Sequence, residues 1–297
     1  PPSARVLAAL VFGAGLIGAG EWLRRRAGDE GPAATANLPS VFSGAGLVTL
    51  FAAVLAARQL YGLIGPGTAF AGHLATAALA VAIGWFSGPL LVAVGLVGAV
   101  VAPFVVGGAS DNLDWLYAYF ALIVAIGLGV DAVRRWAWVS VLALVLGYGA
   151  ASLIQWDGGS DAGWALFLIA MVVLTTILPE RALIPKHGGP AILPALLARG
   201  TMGWPPFPVR LVLGTTLVSS LGLWVLTTGS VETAMLGLAG LTLLALAFLL
   251  WAEHAEGLAD MALWPSAGLL AGIIVAGAGQ HALWHDFVGQ AIALRPP

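Results

Sequence analysis

The chain has 297 residues, 60% of them hydrophobic and 9% charged, with 12 Lys and Arg against 14 Asp and Glu and a formal net charge of −2. A water-soluble domain carries roughly a quarter charged residues, so this composition belongs in lipid, and the lack of a basic field excludes nucleic acid as a partner. The chain contains no cysteine, which removes thiolate nucleophiles, iron–sulfur ligation, thiolate zinc sites and disulfides together.

The apolar residues fall into about ten runs of roughly 20, the length a helix needs to cross a bilayer. The runs are continuous and lack the alternation of barrel strands. Backbone polar groups in hydrocarbon must be satisfied within the segment, so the fold class is all-α, a polytopic transmembrane helical bundle of about ten spanning helices, read as a single bundle over residues 1–297. The first span runs from about Arg5 to Leu23 and stops at Arg24-Arg25-Arg26, before a polar linker at 27–39. Spans at about Ser40–Leu60, Gly67–Phe86 and Pro89–Val106 are separated by Gly65-Pro66-Gly67 and Ser87-Gly88-Pro89, links short enough to force antiparallel neighbours. A polar turn at Gly107–Asp114 leads to Trp115–Val133. Arg134-Arg135 ends that span, and Trp136–Ile154 follows at once. A seventh span covers Gly163–Leu178. The interruption Pro179–Pro208 then holds seven prolines, which no continuous helix tolerates. Within it Ala191–Leu197 is too short to cross. The last three spans lie at about Val209–Thr227, Thr233–Trp251 and Met261–Leu283.

If the Arg24 cluster is cytoplasmic and the chain alternates, nine of the twelve Lys and Arg fall inside, among them Arg134, Arg181, Lys186, Arg199 and Arg210. The turns holding Asp111, Asp114, Asp157, Asp161 and Glu232 fall outside. This is the positive-inside bias, and most of the Trp residues, such as Trp22, Trp85, Trp115 and Trp156, sit at span ends as an aromatic belt.

Helices associate in lipid where small residues let backbones meet. Gly268 and Gly272, Gly237 and Gly240, and Gly95 and Gly98 are the candidate packing faces, whereas Ala262 and Ala278 are expected to face lipid. The sequence Gly13-Ala14-Gly15-Leu16-Ile17-Gly18 matches a dinucleotide-binding pattern. That pattern works only where a strand turns into a helix, and here it lies inside a span, so it too is read as a packing face.

Ionisable groups at mid-depth mark function by default, and this chain has almost none. His73 is the deepest, and with Thr215, Ser219 and Ser220 it makes up a candidate intramembrane polar site. Glu21 with Arg24 or Arg25, and Asp131 with Arg134 or Arg135, have the spacing of helical ion pairs. His281 and His285 stand at i, i+4 with Asp286 beside them, a ligand-like spacing, but alternation puts His254 on the opposite face, and no metal or cofactor is assigned. Asp111 and Asp114 in an outer loop leave a membrane glycosyltransferase-like enzyme as a weaker alternative. In the proline-rich segment, Arg181, Lys186, His187 and Arg199 are candidate lipid-headgroup contacts, with Ile192, Leu193, Leu196 and Leu197 at the membrane boundary.

Several stretches resemble a known family. Glu21-Trp22-Leu23-Arg24-Arg25-Arg26, Ser43-Gly44-Ala45-Gly46, Ala57-Arg58-Gln59-Leu60-Tyr61-Gly62-Leu63, Gly95-Leu96-Val97-Gly98-Ala99 through Pro103, Trp115-Leu116-Tyr117-Ala118-Tyr119 and Arg134-Arg135-Trp136 resemble bacterial predicted membrane proteins catalogued as domain of unknown function 2339. The likeness covers the first half by motif and the second half by hydropathy. It implies a multi-pass helical bundle in the bacterial inner membrane and supplies no catalytic residues. Members are typically longer, and the chain opens at Pro1 without Met and closes at Pro297, so it is expected to be a fragment whose partners include the remainder of a longer chain. The function expected is that of a non-catalytic membrane scaffold or accessory subunit acting on lipid or other integral membrane proteins. The alternative is a transporter or flippase of a lipid-like or envelope precursor, working through a weakly polar cavity.

Overall fold

A computed structural model describes residues 1–27, 38–107, 113–198 and 203–275, and among these there is helix and turn but no strand. The helices are α1 (Pro2–Ala27), α2 (Leu38–Leu55), α3 (Pro66–Ser87), α4 (Pro89–Val106), α5 (Asp114–Arg134), α6 (Ala137–Trp156), α7 (Asp161–Ile177), α8 (Ile192–Leu197), α9 (Phe207–Leu226) and α10 (Val231–Ala252). An eleventh, α11, covers residues 263–275. Among the described residues nine helices are long and apolar enough to cross a membrane, and Asp161–Ile177 is a further apolar helix of 17 residues. Large apolar side chains stand outward along them, including Val11, Phe12, Leu122, Val145, Leu166 and Leu249. Such a surface is stable only where hydrocarbon surrounds it. Trp22, Trp115, Trp138 and Trp156 are exposed near helix ends, the position of an aromatic belt.

Proline and glycine punctuate the helices. Pro66 and Pro89 open α3 and α4 at the first turn, where the missing N–H has no intrahelical partner to lose. Ser160 and Ser230 cap α7 and α10 by accepting from the Gly163 and Thr233 amides at 3.0 and 3.3 Å. Between α5 and α6 the chain reverses within a few residues, because Arg135 takes a left-handed φ of 59° while its amide still bonds the Asp131 carbonyl.

The chain divides into two compact units, Pro1–Asn112 with Leu122–Ala150, and Leu113–Ala121 with Ala151–Pro297. In the first, α1 lies against α2 along a glycine seam. A Cβ on Gly46 would stand 2.6 Å from the Gly13 carbonyl oxygen, and one on Gly20 would stand 2.7 Å from the Pro39 oxygen. Leu47, Ala80 and Leu91 form a core with Ile17, Ile83 and Val94 packed against it. α3 and α4 meet as closely: a Cβ on Gly95 would lie 2.8 Å from the Ala77 carbonyl, and Gly98 leaves room only for the Phe51 ring. The end of α2 widens into a π turn at Ala56–Leu60, closed by the Tyr61 amide on the Ala56 carbonyl at 3.0 Å. From that turn the Gln59 amide donates to the Val105 carbonyl at 2.6 Å, satisfying a last-turn oxygen of α4.

The second unit centres on α7, α9 and α10. Tyr117 Oη donates to Gln155 Oε1 at 2.6 Å, and Gln155 Nε2 donates to Asp161 Oδ1 at 2.7 Å, so a polar chain ties the start of α5, the end of α6 and the start of α7. Ala262, expected to face lipid, is 8% exposed in the turn before α11. The expectation failed because alanine is small enough to be apolar without signalling which side it faces.

Candidate functional site

The buried hydroxyls of α7 and α9 form the main polar feature of the second unit. Thr175 and Thr215 share a hydrogen bond at 2.9 Å, each also bonding carbonyls of its own preceding turn. One turn along α9, Ser219 donates to the Leu168 carbonyl of α7 at 2.8 Å. Two further groups on α9 stand apart from this ladder. Ser220 is 6% exposed and its Oγ has no partner among the described residues, and the same holds for the indole N–H of Trp224 one turn on. Both line a groove of about 260 Å³ between α9 and α11. Thus Thr215 and Ser219 of the candidate polar site join two helices and Ser220 faces the groove. His73 lies in the first unit, 4% exposed, with Nδ1 against the carbonyl of Ala69 in its own helix at 2.9 Å and its ring tilted on Phe51.

The candidate packing glycines sit at the contacts of α10 and α11. A Cβ on Gly237 would collide with the Leu223 carbonyl of α9, and one on Gly240 would lie 2.7 Å from the Leu223 side chain. Gly268 and Gly272 of α11 face Leu241 at 3.1 Å and Thr227 at 2.9 Å in the same sense. The first-span motif divides: Gly13 lies in the seam with α2, while Gly15 and Gly18 meet nothing within 4 Å.

The segment after α7 is anchored at several points. His187 is 2% exposed, with Nε2 donating to the Thr176 carbonyl at 2.9 Å and Nδ1 facing Glu180 Oε1 at 3.3 Å. Its own carbonyl accepts from the Gly257 amide at 3.0 Å. Asp260 accepts from the Leu193 amide at the start of α8, where Ile192 is buried and Leu193, Leu196 and Leu197 are exposed. Arg181 and Lys186 are exposed, so of the three described headgroup candidates His187 alone turns into the protein. Arg199 lies outside the described residues, as do Asp111, His281, His285, Asp286, Ala278 and most of the 27–39 linker.

Glu21 binds both Arg24 and Arg25 at 2.7 Å. The Asp131 carboxylate instead accepts from Ser140 at 2.6 Å, and Arg134 stacks over Trp136 at 4.9 Å and Trp85 at 5.9 Å. The tight Arg135 turn brings Ser140 back to Asp131, a contact that helical spacing along α5 alone does not reveal. No three His, Asp or Glu side chains gather into a metal site among the described residues, and His254 and Asp114 are exposed.

Spanning helices, an apolar outer surface and buried hydroxyls joining helix to helix define a polytopic α-helical membrane protein. Within that class the chain belongs to the family described as predicted membrane protein, domain of unknown function 2339 (DUF2339), whose profile matches residues 1–292. The resemblance read from motifs in the first half therefore extends through the second. No curated protein and no solved structure matches the chain.

Proposed function

We propose that this protein is a non-catalytic scaffold or accessory subunit of the bacterial inner membrane, acting by helix packing with lipid and with other integral membrane proteins. The observation that carries the reading is the use made of buried polar groups. Thr175, Thr215 and Ser219 bond α7 to α9, and His73 bonds its own helix, so these groups hold spans in place. Coupled carriers instead depend on intramembrane carboxylates or broken helices around a midplane site. Extraction from native membrane in a mild detergent tests the proposal. A second integral membrane protein recovered in fixed stoichiometry supports it, and lipid scrambling by the purified chain alone in vesicles overturns it.

Transport or flipping of a lipid-like precursor is the second reading, favoured by one observation. The groove beside Ser220 is a weakly polar cavity lined mostly by apolar side chains. Vesicles carrying the protein would then move a labelled lipid between leaflets.

A further inference from the structure

The geometry points to the groove between α9 and α11 as a binding site for the acyl-ester region of a diacyl membrane lipid, with Ser220 Oγ and Trp224 Nε1 donating to its ester carbonyls. Leu217, 38% exposed, and Leu221, 60% exposed, form the rim on α9, so the groove opens on the outer surface of the unit. Trp264, Ala267 and Gly268 stand on the α11 side. Ser220 and Trp224 are four residues apart and share one face of α9. Both polar atoms are buried and neither has an acceptor among the described residues. In a bilayer a donor left so is unfavourable, and an occupant supplying acceptor oxygens relieves it.

The chemistry of the lining selects that occupant. Among the described residues no charged side chain lines the groove, so they offer a phosphate or carboxylate placed there no counter-charge. A neutral acceptor on an apolar chain fits both the leucine rim and the two donors. By helix rise Trp224 lies about 3 Å and Ser220 about 9 Å from Leu226, where α9 ends. With the end of α9 at the boundary between headgroups and hydrocarbon, where the ester carbonyls of a glycerolipid lie, Trp224 meets that boundary and Ser220 lies one turn beneath it. A volume of about 260 Å³ falls short of the roughly 300–1,000 Å³ of sites that enclose a whole small molecule, and suits part of a lipid whose remainder stays in the bilayer.

This inference deepens the scaffold reading by naming one lipid contact, and it is tested apart from any partner. Purified protein is stripped of lipid and titrated with dioleoyl phosphatidylglycerol or with its diether analogue, which keeps the headgroup and chains and lacks both carbonyls. Native mass spectrometry then counts bound lipid. The diester is expected to bind roughly three- to tenfold more tightly, the worth of one or two neutral hydrogen bonds. The Ser220→Ala, Trp224→Phe double variant should bind both lipids as the original binds the diether. Equal binding of the two lipids by the unaltered protein overturns the assignment without reference to any variant. So does a benzoylphenylalanine at position 217 that cross-links to protein, from this chain or another, rather than to lipid. Either result leaves the stoichiometric-partner experiment to decide the scaffold reading by itself.

Discussion

Replacing Gly46 by Ala places one methyl group into the α1–α2 seam, and its cost follows from the geometry. The new Cβ would lie 2.6 Å from the Gly13 carbonyl oxygen, 2.7 Å from Ile17 Cγ1 and 3.0 Å from the Ile17 amide nitrogen. Best contact between carbon atoms comes at about 3.5–4.0 Å, so α1 must retreat by nearly an ångström. Two of the three obstructing atoms are backbone, which no change of side-chain rotamer can move. Overpacking of this kind destabilises by about 1–3 kcal/mol. The retreat also loosens the Gly20 contact with Ser43 and Pro39, which shares the seam. The paired control lies on another face of α1: a Cβ on Gly15 or Gly18 meets nothing within 4 Å, so Ala at either position should stay within about 0.5 kcal/mol of the original. Thermal unfolding in a mild detergent, followed by intrinsic fluorescence, compares the three. Gly46→Ala should melt several degrees lower and Gly46→Leu lower still. If Gly15→Ala and Gly18→Ala cost as much as Gly46→Ala, the seam has been placed on the wrong face of α1.

Two other expectations rest on single contacts and a third on the placement of charge. A double-mutant cycle with Thr175→Val and Thr215→Val should return a coupling of about 0.6 kcal/mol and no more than about 1.7 kcal/mol, the range found for hydrogen bonds between spans; zero coupling would mean the two hydroxyls act independently. His187→Ala leaves the Thr176 carbonyl without its side-chain donor and removes the buried ring, so limited proteolysis should cut the segment between Pro179 and Ala198 faster than in the original, while unchanged cleavage would show that Asp260 and Gly257 hold it unaided. Single cysteines at Lys186 and Asp157, introduced into a chain that has none, should label from opposite sides of the membrane with an impermeant reagent; labelling from one side overturns the assigned topology.

Helix existence was legible because lipid demands it, while helix orientation was not, and both follow from the same solvent. Pro66, Gly88 and Pro89 mark the ends of α3 and α4 in sequence and in structure alike, since breakers act locally. In water the buried face of a helix is betrayed by a polar face opposite. In lipid both faces are apolar, so Gly13 and Gly15 look alike in sequence although one meets α2 and the other meets nothing. The same ambiguity placed Ala262 toward lipid. Of the candidate polar site, Thr215, Ser219 and Ser220 drew notice as hydroxyls in a span, but only the structure separates the two that bond α7 from the one that faces a groove. The link from Tyr117 through Gln155 to Asp161 had no signal to find, because Tyr117 is 38 residues from Gln155, Asp161 lies across a turn from it, and each is ordinary near a span end.

The π turn at Ala56–Leu60 carries an implication about descent. One residue more than an α-helical turn needs is accommodated there, as the Tyr61 amide reaches back to Ala56, and such a bulge has the form of a single-residue insertion absorbed without breaking the helix. Each added residue advances the helix by about 100°, so the insertion swings Gln59 toward the end of α4, where it holds the Val105 carbonyl. A relative with a regular helix at this point should therefore be one residue shorter between Leu55 and Tyr61. It should also have no use for an amide at the position of Gln59, so the gap and the glutamine should come and go together.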